Sequence, residues 1–221
     1  MKISQETITI LKNFSTINSS IMLKEGNKIS TISNMKNIFA NADVGEEFPS
    51  DFGIYDLNRF VGNLVQYENP ELEWNDEYVL IKDGSRQMRF MKSDSSTIIA
   101  PPASGIKMPT ADVTIDLTNK MVQFMNKMSA LNDLPDYSLR TEDGNIYLVA
   151  TDKKNPDSDE AKEFVGDADG KEFNVFFKSE NLKLIEGDYT VEISNKLISR
   201  FINKNKDIEY YIALESDSTF D

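Results

Sequence analysis

The chain has 221 residues, 39% hydrophobic and 28% charged, which allows one large or two modest domains with real cores. It carries 37 acids against 24 bases, a net charge of -13, and neither histidine nor cysteine. Disulfides, thiol chemistry, the commonest metal ligand and every Ser-His or Cys-His nucleophile are excluded, which disfavours most enzyme classes while carboxylate- and Lys-based chemistry survives.

No apolar run approaches the roughly 20 residues that span a bilayer. The opening Met1-Lys2-Ile3-Ser4-Gln5-Glu6 turns polar too early for a signal peptide, so no membrane association is expected. So acidic a surface repels nucleic acid on average. Any DNA contact must come from a local concentration of cations.

The first predicted helix covers about Gln5 to Ile17. Ile3, Thr7, Ile10, Phe14 and Ile17 recur at helical spacing, Gln5, Thr9, Lys12 and Thr16 fall opposite, and Ser4 is the N-cap. The second, about Asp56 to Tyr67, buries Leu57, Phe60, Val61 and Leu64 and leaves Arg59, Asn63 and Gln66 outward. Leu72-Glu73-Trp74 reads as a strand in which Trp74 packs rather than binds. Tyr78 to Ile81 and Gln87 to Met91, joined at Lys82-Asp83-Gly84, form a hairpin. From Ser95 to Pro109 both periods vanish, and the prolines favour an extended connector.

The third helix, about Leu117 to Leu131, has an apolar stripe of Leu117, Met121, Phe124, Met128 and Leu131. Lys120, Gln123 and Lys127 share another face at i, i+3 and i+7. Its methionines read as core rather than as an adaptable docking surface. Ser138 to Thr141 and Ile146 to Ala150 flank Asp143-Gly144, a good hairpin turn because both residues tolerate positive φ. The acidic stretch Asp152 to Gly170 contains Asp167-Ala168-Asp169-Gly170, a fragment of a calcium loop. It lacks the third oxygen ligand and the distal glutamate, so a solvated loop without metal is expected. A short fourth helix is predicted from about Ser179 to Ile185, packed through Leu182 and Ile185. It carries Lys183, with Lys178 just before it, and Gly187 ends it; strands Tyr189 to Ile193 and Glu209 to Leu214 follow.

One pattern occurs twice. Ile54-Tyr55-Asp56-Leu57-Asn58-Arg59-Phe60 and Thr114-Ile115-Asp116-Leu117-Thr118-Asn119-Lys120-Met121 each run from an apolar strand through an Asp-Leu step into a helix with its cations on one face. The architecture read from this is α+β: two similar domains, 1–97 and 110–221, joined by a connector over 98–109. Each domain is built from two strand-helix-strands units. A lysine-bearing helix face is ordinarily just solvated; its repetition in an acidic chain points to a separate surface for an anionic ligand.

Particular residues also carry a family likeness. Leu11-Lys12-Asn13-Phe14-Ser15-Thr16-Ile17-Asn18-Ser19-Ser20-Ile21-Met22-Leu23-Lys24 resembles the opening helix and strand of T-even-type phage sliding clamps, the trimeric processivity factors of the phage replicase. Ile54-Tyr55-Asp56-Leu57-Asn58, the connector from Ile98 to Pro102 and the closing Ala213-Leu214-Glu215-Ser216-Asp217-Ser218-Thr219 are similar to that family too. The resemblance implies the DNA-clamp fold in a homotrimeric ring, with helices lining the hole and sheets outside. It implies duplex DNA as a sequence-independent, encircled partner, a docked phage DNA polymerase, an ATP-driven clamp loader, and a role in late transcription with its factors. The location would be the cytoplasm of the infected bacterial host.

Carried onto this chain, the DNA-facing cations would be Lys12, Arg59, Lys120, Lys127, Lys178 and Lys183, with Lys2 near the rim. A groove for hydrophobic partner tails would be lined by Ile99, Pro101, Pro102, Ile106, Met108, Tyr211 and Leu214. A few cations diluted by Asn, Gln and Thr soften repulsion without gripping, and phosphate contacts carry no sequence information. No enzyme activity, cofactor or metal is expected. The rival readings are an acidic oligomeric virion protein, which has no reason to align helix cations, and a carboxylate-based hydrolase, for which no facing acid pair can be singled out.

Overall fold

The computed structural model describes residues 1–220, which form two compact units divided between Ile106 and Lys107. The first contains helix α1 (Gln5–Ile17) and strands β1 (Ile21–Leu23), β2 (Gly26–Ile32), β3 (Ile38–Phe48) and β4 (Phe52–Ile54). Helix α2 (Leu57–Leu64) and strands β5 (Glu71–Trp74), β6 (Tyr78–Asp83) and β7 (Arg86–Met91) complete it. β1 pairs with β4, β2 with β3, and β5, β6 and β7 form an antiparallel sheet that Lys2 joins through a bridge to Glu71.

The helix α1 begins where Ser4 accepts a hydrogen bond from the Thr7 amide at 3.1 Å. Alternation along β3 turns Glu46 inward between Val44 and Phe48, where its carboxylate accepts from the Ser4 amide and the Thr7 hydroxyl. Burial works to raise the Glu46 carboxyl, but these hydrogen bonds outweigh it and hold the group below the usual range. Leu11 and Phe14 are fully buried under α1, and each such side chain contributes about 2 kcal/mol. The helix α2 packs against α1 and buries the four residues expected of it, though it ends at Leu64 rather than Tyr67. Trp74 packs edge-on against Phe48 and Phe52 at 5.7 and 5.1 Å. Gly53 allows Ser93 to approach: its carbonyl accepts from the Ser93 amide at 2.9 Å, and a Cβ there would stand 2.6 Å from Ile98 Cδ1 and from the Ser93 oxygen.

The second unit contains β8 (Val113–Leu117), helix α3 (Asn119–Leu131), β9 (Asp136–Glu142), β10 (Asn145–Thr151), β11 (Ala161–Asp167) and β12 (Phe173–Lys178). Strands β13 (Tyr189–Ser194), β14 (Ile198–Asn203), β15 (Ile208–Ala213) and β16 (Thr219–Phe220) follow. One sheet runs β11-β10-β9-β12-β16, and β8-β13-β14-β15 are neighbours in another. The turn between β9 and β10 uses Asp143 and Gly144 at φ 49° and 77°, as the sequence predicts.

Three expectations are corrected in this unit. The stripe of α3 predicted to be core is largely outside it: Met125 and Ser129 are buried, whereas Phe124 and Leu131 are 42% and 76% exposed. The acidic stretch is not all loop, since β11 crosses it. The fourth helix is absent as such, and only a 3-10 turn, Ser179–Asn181, forms. Leu182 and Leu184 both line a small apolar cavity with Val122 and Met125 of α3, a spacing of two that an extended backbone satisfies and a helix does not. Tyr210 Oη accepts from the Ile185 amide at 3.1 Å and Tyr189 Oη donates to its carbonyl, replacing helical partners. Burial pushes both phenols up, Tyr189 to about 12.

The chain then closes along β12. The Glu215 amide donates to the Phe176 carbonyl at 2.9 Å, and the Phe176 amide donates to Ser218 Oγ at 3.0 Å. Lys153 Nζ lies 2.7 Å from Asp217, 3.3 Å from Glu215 and 5.1 Å above the Phe176 ring.

Candidate nucleic-acid interface

Helices α2 and α3 are each fixed at the start by a side chain of the repeated motif. Asp56 accepts from the Arg59 amide at 2.9 Å, while the Leu57 amide donates to the Ser19 carbonyl at 2.7 Å and ties α2 to the end of α1. Thr118 accepts from the Met121 amide at 3.3 Å, and the Asn119 amide donates to Asp188 at 2.7 Å. These contacts set which face each helix leaves uncovered. In the first unit, that face holds Gln5, Thr9, Lys12 and Thr16 of α1 with Arg59 of α2 and, beyond it, Gln66, all exposed. In the second unit, Lys120 and Lys127 are exposed on α3.

The charge on these helices is the reverse of the chain's. Together the three carry four cations, Lys12, Arg59, Lys120 and Lys127, and a single acid, Glu6. None of the four cations has a carboxylate partner among the described residues; the Arg59 guanidinium lies 5.9 Å from the Phe90 ring centroid. Apart from Arg86 and Arg89 of β7, the strand cations differ. Lys28, Lys82, Arg140, Lys162 and Arg200 all sit against acids, with Arg140 spanning Glu142 and Glu160 at 2.6 and 2.7 Å. Unneutralised cations diluted by amides and hydroxyls make a surface that attracts phosphates without reading bases.

Residues 3–100 match the family model described as DNA polymerase processivity factor, and residues 114–216 match that of the gp45 sliding clamp, C terminal. The sliding clamp of Vibrio phage KVP40 is 34% identical over 98% of this chain and 100% of its own length. The chain belongs to the phage sliding-clamp family. The sliding clamp of Enterobacteria phage T4 is 29% identical over the whole of both chains. Among solved structures, A. fulgidus PCNA with the C-terminal region of FEN-1 superposes with a TM-score of 0.68, covering 96% of each chain at 15% identity, a likeness of fold alone. As a member of this family, the chain is a DNA sliding clamp, a polymerase processivity factor with the α+β clamp fold.

Not all cations that the sequence nominates in this clamp stand alike. Lys2 is exposed and 3.9 Å from Glu71. Lys178 ends β12 with its ammonium against Asp136, a carboxylate with no solvent exposure that also accepts from the Lys153 amide at 3.2 Å. Lys183 is half-buried outside any helix. Of the predicted groove residues, Ile99 and Pro102 are exposed, Pro101, Ile106 and Met108 are half-exposed, and Tyr211 and Leu214 are buried. Sequence reasoning missed the outward apolar groups Phe124 and Leu131 of α3 and Phe164 of β11, the last 50% exposed on an edge strand that packs against α3. The stripe was visible in the sequence. Which partner it faces was not.

Among the described residues, no helix is long and apolar enough to cross a membrane, and no group of acids is arranged to hold a metal ion.

Proposed function

We propose that the clamp works as a ring of three copies around duplex DNA, in the cytoplasm of an infected bacterium, with α1, α2 and α3 toward the hole. Lys12, Arg59, Lys120 and Lys127 are the phosphate-facing cations and Lys2 lies near the rim. One observation carries this reading: the helices hold four unneutralised cations and one acid in a chain of net charge -13. Retention then comes from closure, because so few phosphate contacts give weak, salt-sensitive binding. The exposed Phe124, Leu131 and Phe164 support assembly through α3 and the free edge of β11, since apolar groups of this size gain most by being covered. Edge strand β7, with Met91 55% exposed and Arg86 and Arg89 on it, is a suitable opposite face for Glu163 and Asp167 of β11.

The connector residues Ile99, Pro101, Pro102, Ile106 and Met108 take the hydrophobic tail of the phage polymerase and of late-transcription factors; Tyr211 and Leu214, buried, support β15 and its end and do not meet the tail. An ATP-driven loader opens the ring. The clamp itself performs no catalysis. Primer extension on circular and linear templates tests the reading. With loader and ATP, the protein should lengthen products strongly on the circle and much less on a linear template with free ends. Equal stimulation on both would refute encirclement, as would sedimentation of the protein as a monomer at the assay concentration.

A further inference from the structure

Residues 29–41 hold no acid and a single cation, Lys36, and residues 95–106 hold no charge at all, in a chain with 37 acids. The first unit brings these two stretches together. Asn18, 4% exposed, donates from Nδ2 to the Ile32 carbonyl at 2.8 Å and reaches the Ile99 carbonyl at 3.5 Å, so the end of β2 and the start of the connector share one side chain. Met35 follows Ile32 within at most about 11 Å of chain, at the tip of the β2–β3 turn. It is 84% exposed, more than any other large apolar side chain among the described residues.

The turn holds it there firmly. The Lys36 amide donates to the Ser33 carbonyl and the Ser33 amide to the Ile38 carbonyl, both at 2.9 Å. Buried Ser33 Oγ accepts from the Asn37 and Ile38 amides at 3.1 and 3.0 Å. Lys36 takes φ 58°, which residues other than glycine rarely adopt. So fully bonded a turn loses little freedom when something docks on its tip. Lys36 is exposed and has no carboxylate partner among the described residues.

We propose that Met35 and Lys36 set which partner tails this clamp takes, favouring a tail in which an apolar side chain is flanked by Asp or Glu. The inference rests on the reading that the connector receives such tails. The apolar side chain packs over Met35, whose unbranched thioether adapts to its shape, and over the exposed Ile99, while the carboxylate meets Lys36. The net charge of -13 opposes an acidic segment in general, but neither stretch contributes an acid here. Nucleic acid is the poorer occupant, because one cation among apolar groups offers a phosphate backbone a single contact.

Fluorescein-labelled Gly-Asp-Leu-Phe-Asp-Leu-amide is titrated with the full chain and followed by anisotropy, beside the same peptide carrying Asn or Lys at both Asp positions. The Asp peptide should bind tightest. Lys36→Glu should weaken it about tenfold, leave the Asn peptide unchanged and improve the Lys peptide, an exchange that a merely structural lysine would not produce. Met35→Ala should weaken all three about fivefold. Both positions are exposed, so the melting curves should not move. Equal binding of the Asp and Asn peptides, an undiminished Asp response in Lys36→Glu, or no binding at any accessible concentration overturns the proposal. Ile99→Asp separates the two readings. Loss of every peptide there, with no effect of the Met35 and Lys36 changes, refutes this inference and leaves the connector reading standing; undiminished binding in Ile99→Asp refutes the connector reading on which it rests.

Discussion

Replacing Lys178 with alanine should unfold the second unit far more readily than any other single lysine change. Asp136 has no solvent exposure, and its carboxylate has two partners, the Lys178 ammonium and the Lys153 amide at 3.2 Å. Lys178→Ala leaves a buried anion with one backbone donor. Stranding one half of a fully buried ion pair costs about 3–5 kcal/mol, against less than about 1 kcal/mol for a surface pair. The Lys178 side chain is 26% exposed, so water can reach part of the vacated space and the lower end applies, about 3 kcal/mol. Urea unfolding followed by circular dichroism measures it. Adding Asp136→Asn to Lys178→Ala removes the stranded charge and should restore about half of the loss. A Lys178→Ala protein within about 0.5 kcal/mol of the parent, or a double variant no more stable than the single, would refute the argument. Lys178 would then be free to meet phosphate after all.

Glutamates at Lys12, Arg59, Lys120 and Lys127 should each leave urea stability within about 0.5 kcal/mol, because the positions are exposed, while shortening loader-dependent products on circular templates. Glu46 sets an acid limit. Its folded carboxyl lies below its ordinary value of 4.5, so its stabilisation is present above that pH and fades as pH falls through the lower folded value; in Glu46→Gln, stability measured by urea titration from pH 6 to pH 3 should fall less. Gly53→Ala drives a methyl to 2.6 Å from Ile98 Cδ1 and the Ser93 oxygen, and should cost about 2 kcal/mol in the same unfolding assay.

The elements legible in the sequence were those whose determinants are local. The Ser4 cap, the Leu57-Phe60-Val61-Leu64 face and the Asp143-Gly144 turn each lie within a few residues of what they organise. Of the candidate site, Lys12, Arg59, Lys120 and Lys127 could be placed on outward faces because helical period alone fixes that. The strand β11 was hidden because its charges look solvated until the neighbouring strands are known. Glu142 of β9 takes Lys162, while Arg140 reaches Glu160 just before β11. The segment after Ser179 failed for a related reason, since Tyr189 and Tyr210, distant in sequence, supply the hydrogen bonds that let it stay extended. The helix α3 offered two apolar-looking sides, Met121-Phe124-Met128-Leu131 and Val122-Met125-Ser129. Only the opposing Tyr137 and Phe177 select the second as inward.

The closing segment along β12 is held by one main-chain link, one bond from the Phe176 amide to the Ser218 hydroxyl, a two-residue ladder and the Lys153 clasp, with little apolar surface of its own. Thr219 and Phe220 in this segment are exposed and half-exposed. Local opening free energy follows buried apolar contact rather than hydrogen-bond count. Amide protons donated by Glu215 and Phe176 should therefore trade with deuterium well before those of β9 and β10, and sooner still in strong salt, which loosens the clasp without melting the sheet behind it.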